Sequence, residues 1–228
     1  MHSPLQTVCE AKQKRTGWRF FACLVLLISM RSASFAASPE DRISQYGHTV
    51  WRIQDGYFGG MVWNITQTTD GYIWVGTDAG LFKFDGVRFV RWVSPSGEQL
   101  PPGRVLALLG ARDGSLWIGA DGGLAHLVNN RLVQYQKNEG WEIGYIFEDR
   151  DGKIWINQGR PGDDTHPLCQ VADSEVRCYG REDGLDVPGL GPLAQDVSGD
   201  LWIGGSTALG RWRPGATKGL STASTARK

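Results

Sequence analysis

The densest run of polar chemistry in the 228-residue chain is Gln158-Gly159-Arg160-Pro161-Gly162-Asp163-Asp164-Thr165-His166-Pro167. Arg160, Asp163, Asp164 and His166 place donors, acceptors and both charge signs on a segment punctuated by proline and glycine, which reads as a loop. Just upstream, Trp141 and Glu142 could add a stacking surface and a charge. Such a set suits ligand binding by a loop on a rigid scaffold, and a solvated surface loop would have the same composition. Cys169 and Cys178 follow, flanking an alternating stretch around Asp173-Ser174. If that pair is a two-residue turn, Ala172 faces Glu175 and Cys169 faces Cys178 at a non-hydrogen-bonded position, close enough for a cross-strand disulfide. A turn one residue longer loses that register and leaves two buried thiols.

Other chemistry has less support. Asp149-Arg150-Asp151-Gly152 is similar to the start of a calcium loop, but Lys153 follows and no terminal glutamate closes it, so a hairpin turn accounts for it. Histidines occur at 2, 48, 126 and 166, and none has sequence support for a Ser-His-Asp or Cys-His arrangement. The reading therefore assigns no catalytic residue, metal or cofactor. Formal charge is zero overall, yet Lys12, Lys14, Arg15, Arg19 and Arg31 crowd into residues 1–36 against Glu10. The rest carries 19 bases and 23 acids, a balance that argues against a nucleic-acid partner.

That basic stretch precedes an 11-residue apolar run, Phe20 to Met30, against the ~20 needed to span a bilayer. Ser34-Phe35-Ala36 fits a cleavage site before Ala37. Residues 1–36 thus read as a signal peptide, with an uncleaved membrane anchor or a misassigned start as the alternatives, and 37–47 as a linker. Export leaves Cys169 and Cys178 in an oxidising, periplasmic or extracytoplasmic compartment.

The elements that must position these residues are announced by a repeat. Asp70-Gly71-Tyr72-Ile73-Trp74-Val75-Gly76, Asp113-Gly114-Ser115-Leu116-Trp117-Ile118-Gly119, Asp151-Gly152-Lys153-Ile154-Trp155-Ile156-Asn157 and Ser198-Gly199-Asp200-Leu201-Trp202-Ile203-Gly204 align without gaps, their tryptophans 43, 38 and 47 residues apart. Each copy reads as an apolar strand, a turn needing glycine (Gly71, Gly114, Gly152, Gly199), and a strand with aliphatics on both sides of its tryptophan. A third strand and a second turn, Asp85-Gly86 or Asn129-Asn130, complete four antiparallel strands in about 40 residues. The fold class is all-β, a β-propeller of four four-stranded antiparallel blades forming an incomplete ring. The partial propeller runs over 48–216, with blades at about 61–92, 104–136, 141–182 and 190–213. Trp74, Trp117, Trp155 and Trp202 fill the space between blades. Residues 48–53 read as the outer strand of a further blade, and 217–228 as a disordered tail.

The pattern resembles the two-component regulator propeller repeat, Asp-Gly-x-Leu/Ile-Trp-Ile/Val-Gly-Thr before a Gly-Leu. Thr69 to Leu81 and Arg112 to Leu124 match it closely, and Trp51 to Gly56 and Phe84 to Phe89 also fit. Sialidase-type Asp boxes, quinoprotein repeats and WD repeats space these residues differently. Copy three departs with Asn157 in place of glycine and no Gly-Leu pair; copy four has Ser198 and Ala208-Leu209. The resemblance implies an extracytoplasmic ligand-sensing module of a histidine-kinase or hybrid two-component protein, anchored in the inner membrane at full length. Its partners would be a small molecule, by resemblance a carbohydrate, and the remaining blades and kinase region of a longer protein. Four blades leave two open edges, which a longer chain or a homodimer would close. A secreted propeller enzyme, lyase or quinoprotein-like, and an interaction scaffold are the alternatives.

Overall fold

The structure is a computed structural model that describes residues 48–136, 142–159, 168–172, 175–185, 187, 189, 191–213, 215 and 220–223. It contains four sheets of four antiparallel strands, each in sequential order. Blade one is β1 (Val62–Gln67), β2 (Ile73–Thr77), β3 (Gly80–Phe84) and β4 (Phe89–Arg91). Blade two is β5 (Val105–Gly110), β6 (Leu116–Ala120), β7 (Gly123–Val128) and β8 (Arg131–Gln136). Blade three is β9 (Glu142–Glu148), β10 (Ile154–Gly159), β11 (Leu168–Ala172) and β12 (Glu175–Tyr179). Blade four is β13 (Leu193–Gln195), β14 (Leu201–Gly204), β15 (Leu209–Trp212) and β16 (Leu220–Ala223).

The core lies between blades rather than within one sheet. Trp74 and Leu81 of blade one pack against Val105, Leu116 and Ile118 of blade two. Trp117 and Leu124 meet Ile143, Ile154 and Ile156 of blade three. Trp155 and Leu168 meet Leu201, Ile203 and Trp212 of blade four. This is why β2, β6 and β10 are apolar on both faces: each middle strand is covered on two sides. Glycine follows the tryptophan by two because the next blade's inner strand abuts it. A Cβ on Gly76 would lie 2.7 Å from the Val105 carbonyl oxygen, and one on Gly119 would lie 2.7 Å from that of Ile143. Asn157 in blade three departs from this rule. Its Nδ2 instead donates to the Gly191 carbonyl at 3.1 Å, so a side chain spans the gap that backbone closes elsewhere.

Turn chemistry follows the residue types. Asn129 and Asn130 both take positive φ, 49° and 64°, the hairpin conformation in which asparagine is tolerated. Asp85 Oδ1 accepts from the backbone of Val87 and Arg88 at 3.0 and 2.9 Å.

Two expectations are corrected. Residues 48–53 pair as a strand with none of the described residues. Ile53–Asp55 is a 3-10 turn ended by Gly56 at φ 82°, and Trp51 and Phe58 lie against the face of blade one that blade two leaves open. Trp51 meets Phe84 and Phe89 at 5.3 and 5.4 Å between ring centroids; Phe58 meets Phe82 and Phe89 at 5.8 and 4.9 Å. Burying that aromatic face outweighs extending the local strand pattern. Secondly, residues 220–223, read as part of a patternless tail, form β16 and pair with β15, so blade four extends past residue 213. An outermost strand is recruited by main-chain hydrogen bonds and needs little apolar pattern of its own.

Candidate functional site

Blade geometry gives the propeller two rims. The lower rim carries the Asp-Gly hairpins. The upper rim carries the residues that open the innermost strands and the loops joining the second and third strands. In β1, β5 and β9 the pairing skips one residue near the upper rim, at Trp63, Leu106 and Gly144. Bulges of this kind re-aim side chains.

An aspartate in each of the first two upper loops holds the start of its own innermost strand. Asp78 accepts from the Met61 N–H and from Trp63 Nε1, both at 2.7 Å. Asp121 accepts from the Arg104 N–H, Nε and Nη2 at 2.7, 3.0 and 2.8 Å. Arg104 Nη2 continues to Glu142 Oε1 at 3.1 Å, and its guanidinium stands 5.3 Å from the centre of the Trp63 ring. One arginine of blade two therefore joins a tryptophan of blade one, its own loop aspartate, and a glutamate of blade three. Hydrogen bonds from Trp63 and the Met61 backbone, with the nearby Arg104 charge, hold the Asp78 carboxyl below its ordinary range. The hydrogen bond to Asp121 raises the Arg104 pKa further, keeping the guanidinium charged. A cleft of about 540 Å³ opens beside the cluster, lined by Asp78, Arg91, Trp92, Glu98, Arg104 and Asp121. Its mixture of charged groups and an aromatic edge can orient a polar ligand of modest size.

Glu142 is thus placed in this cluster as a partner of Arg104. Trp141, Arg160, Asp163, Asp164 and His166 lie outside the described residues. Sequence reading missed Asp78, Arg104 and Asp121. The signal that could have found them is the aspartate at the same place in TDAG and ADGG, four residues after each tryptophan. Cys169 pairs in register with Cys178, and Ala172 with Glu175; the two cysteines are disulfide-bonded with Cα atoms 3.9 Å apart. This bond ties the outer strand of blade three to its neighbour.

The four repeat glycines take φ of 84–89° in their turns, and Trp74, Trp117 and Trp155 are buried. A residue six positions before three of the tryptophans accepts the indole N–H: Thr68 at 3.0 Å, Asp149 at 2.8 Å and Asp196 at 3.1 Å. Asp149 also accepts from the Asp151 and Lys153 backbones at 2.9 Å each. With the Gly152 N–H donating to the Asp149 carbonyl at 3.1 Å, these bonds build the hairpin turn. Among the described residues no cluster of three His, Cys, Asp or Glu is placed to hold a metal.

Residues 56–79 match the family described as Two component regulator propeller. No curated protein matches the chain in sequence. Among solved structures, the fold is similar to the extracellular domain of a hybrid two-component system from B. thetaiotaomicron, with a TM-score of 0.57 and 19% identity over 72% of this chain and 23% of that one. It is also similar to a luciferin-regenerating enzyme, with a TM-score of 0.52, 17% identity, and 72% and 63% of the two chains covered. A protein assigned as a gluconolactonase gives a TM-score of 0.51, 16% identity, and coverage of 72% and 64%. The chain spans less than two thirds of the length of each of these structures. At these identities the likeness establishes the fold: an incomplete β-propeller. Within it, one segment carries the two-component regulator propeller repeat.

Proposed function

We propose that the chain is the extracytoplasmic ligand-sensing propeller of a two-component signal transduction protein, with the kinase region elsewhere in a longer protein. Export through residues 1–36 and anchoring of the full-length protein in the inner membrane belong to this reading, as does a small, carbohydrate-like ligand. The match at residues 56–79 and the likeness to a sensor's extracellular domain support it. The observation that carries it is Arg104, shared among three blades at the wall of the upper cleft. A ligand competing with Glu142 or Asp121 for that guanidinium would change the contact between blades, a differential interaction that could bias two arrangements of the ring. The test is calorimetric titration with neutral and acidic mono- and disaccharides. At least one should bind, and Arg104→Ala should weaken it about tenfold, the loss of a charged hydrogen bond. Binding to none of them, or equal binding by the variant, removes the upper cleft as the sensing site.

The likeness to a luciferin-regenerating enzyme and to a protein assigned as a gluconolactonase favours a second reading, a secreted propeller enzyme. Acid release from δ-gluconolactone above the uncatalysed rate would support it in place of sensing.

A further inference from the structure

Blade two breaks the lower-rim rule that the other three obey. At the position six before its tryptophan stands Ala111, where Thr68, Asp149 and Asp196 supply the acceptor for Trp74, Trp155 and Trp202. Asp113 takes over the turn, accepting from the Ser115 N–H at 2.9 Å and its hydroxyl at 2.6 Å. Among the described residues nothing accepts a hydrogen bond from Trp117 Nε1. One face of that indole is covered by His126, stacked at 3.9 Å and 9°, and Tyr135 stands 5.1 Å from it. Trp117 lines a cleft of about 570 Å³ between blades two and three, within the size range of ligand pockets, together with Ala111, Tyr135, Ile154 and Val171. The equivalent space between blades one and two, where Thr68 holds Trp74, is about 270 Å³.

We infer that this cleft is a second binding site, for a small uncharged aromatic or alicyclic molecule that presents an alcohol or carbonyl oxygen to Trp117 Nε1. An indole N–H with no acceptor among the described residues, at the wall of a cleft, is free to donate to a ligand oxygen, and the alanine, isoleucine and valine beside it offer apolar contact to the body of such a molecule. Charge is disfavoured. The charged groups lining the cleft, Arg112, Asp113, Glu148, Arg150 and Asp151, carry both signs, and Arg112 is committed to Glu148 at 2.9 Å and to the carbonyls of Asp149 and Arg150, so a ligand charge of either sign would meet like charge as well as opposite. The site lies on the rim opposite Arg104 and does not rest on the sensing reading.

Protein labelled with 15N-tryptophan tests the inference by NMR, with Trp117 assigned through Trp117→Phe. Acetophenone and benzyl alcohol should shift the Trp117 indole resonance and leave those of Trp74, Trp155 and Trp202 in place. Benzoate, benzylammonium and toluene should bind about tenfold more weakly, the value of one satisfied hydrogen bond or an avoided buried charge. Ala111→Asp installs the acceptor of blades three and four. It should leave the melting temperature unchanged or higher, and weaken both probes about tenfold. Ala111→Thr, the blade-one arrangement, replaces it if the aspartate variant does not fold. Arg104→Ala should leave the probe response intact. The inference is overturned if neither probe moves Trp117, or if the Ala111 variants respond like the parent protein.

Discussion

Residue-level electrostatics make His126 a sensor of stability in this blade stack. Burial against Trp117 disfavours the imidazolium and lowers its pKa, and the Asp113 charge restores part of the loss. The unfolded chain therefore binds the proton more readily than the folded one, so stability falls as pH drops through about 6.5, the ordinary histidine value. It levels off once the folded pKa is passed. The carboxylates whose pKa values the fold depresses, Asp78, Asp85, Glu98, Asp113, Asp196 and Asp200, act in a separate, more acidic window. Thermal melts between pH 8 and pH 5 should show a declining melting temperature, with a smaller decline in His126→Phe, which keeps a ring on Trp117. An equal decline in both proteins would place the effect elsewhere. The Arg104→Ala and Ala111→Asp experiments belong to this scale too, since each alters one donor or acceptor within an otherwise intact blade.

Individual elements show where the repeat is reinforced. Blade three has neither the glycine that lets blade four approach nor the short second-to-third-strand loop of blades one and two. In their place it has the Asn157 hydrogen bond to Gly191 and the Cys169–Cys178 bridge. The bridge closes a ten-residue loop, so its removal should cost about 2–3 kcal/mol by chain entropy. Cys169→Ser with Cys178→Ser, or reductant added to the parent protein, should lower the denaturant midpoint to a similar degree, and reductant should have no effect on the double variant. Thiol titration of the unreduced protein should find neither cysteine reactive; two reactive thiols would contradict the bridge.

The molecule as a whole is a series of interfaces, each built from facing sides of successive sheets. Lower-rim ties cross the same seams: Thr66 accepts from the Gly110 N–H at 3.1 Å, Arg112 reaches Glu148, and the Arg150 N–H donates to Gln195 at 3.0 Å. Blade one has no preceding blade among the described residues, and the segment carrying Trp51 and Phe58 covers that face instead. Trp51→Ala should therefore destabilise the protein by about 1–3 kcal/mol through lost aromatic packing on a half-exposed site. Its effect should exceed that of Val87→Ala, at an 82% exposed residue; equal denaturant midpoints would show that the segment is not a structural cover. Trp202 on blade four is less buried than Trp74, Trp117 and Trp155, and Arg211 stands 5.6 Å from its ring.

Blade number, hairpin positions and the burial of Trp74, Trp117 and Trp155 were legible in the sequence. They depend on local chemistry: a glycine that accepts positive φ, an indole flanked by aliphatics, and a period near 40 residues. The register of Cys169 with Cys178 was legible for the same reason, because a two-residue turn sets every pair that follows it. Tertiary structure decided the rest. No local rule places Arg104 beside Trp63 and Glu142, 41 and 38 residues away, since only the stacking of three blades brings their strand ends together. Nor could the strand-like phrase at Trp51 reveal that its ring would cover an open sheet face. Ala111 was visible as a departure from its counterparts, but its meaning depends on a hydrogen bond that only the folded hairpin forms. The turn-and-tryptophan repeat thus determined the scaffold, whereas the clefts on its two rims arise from contacts between blades.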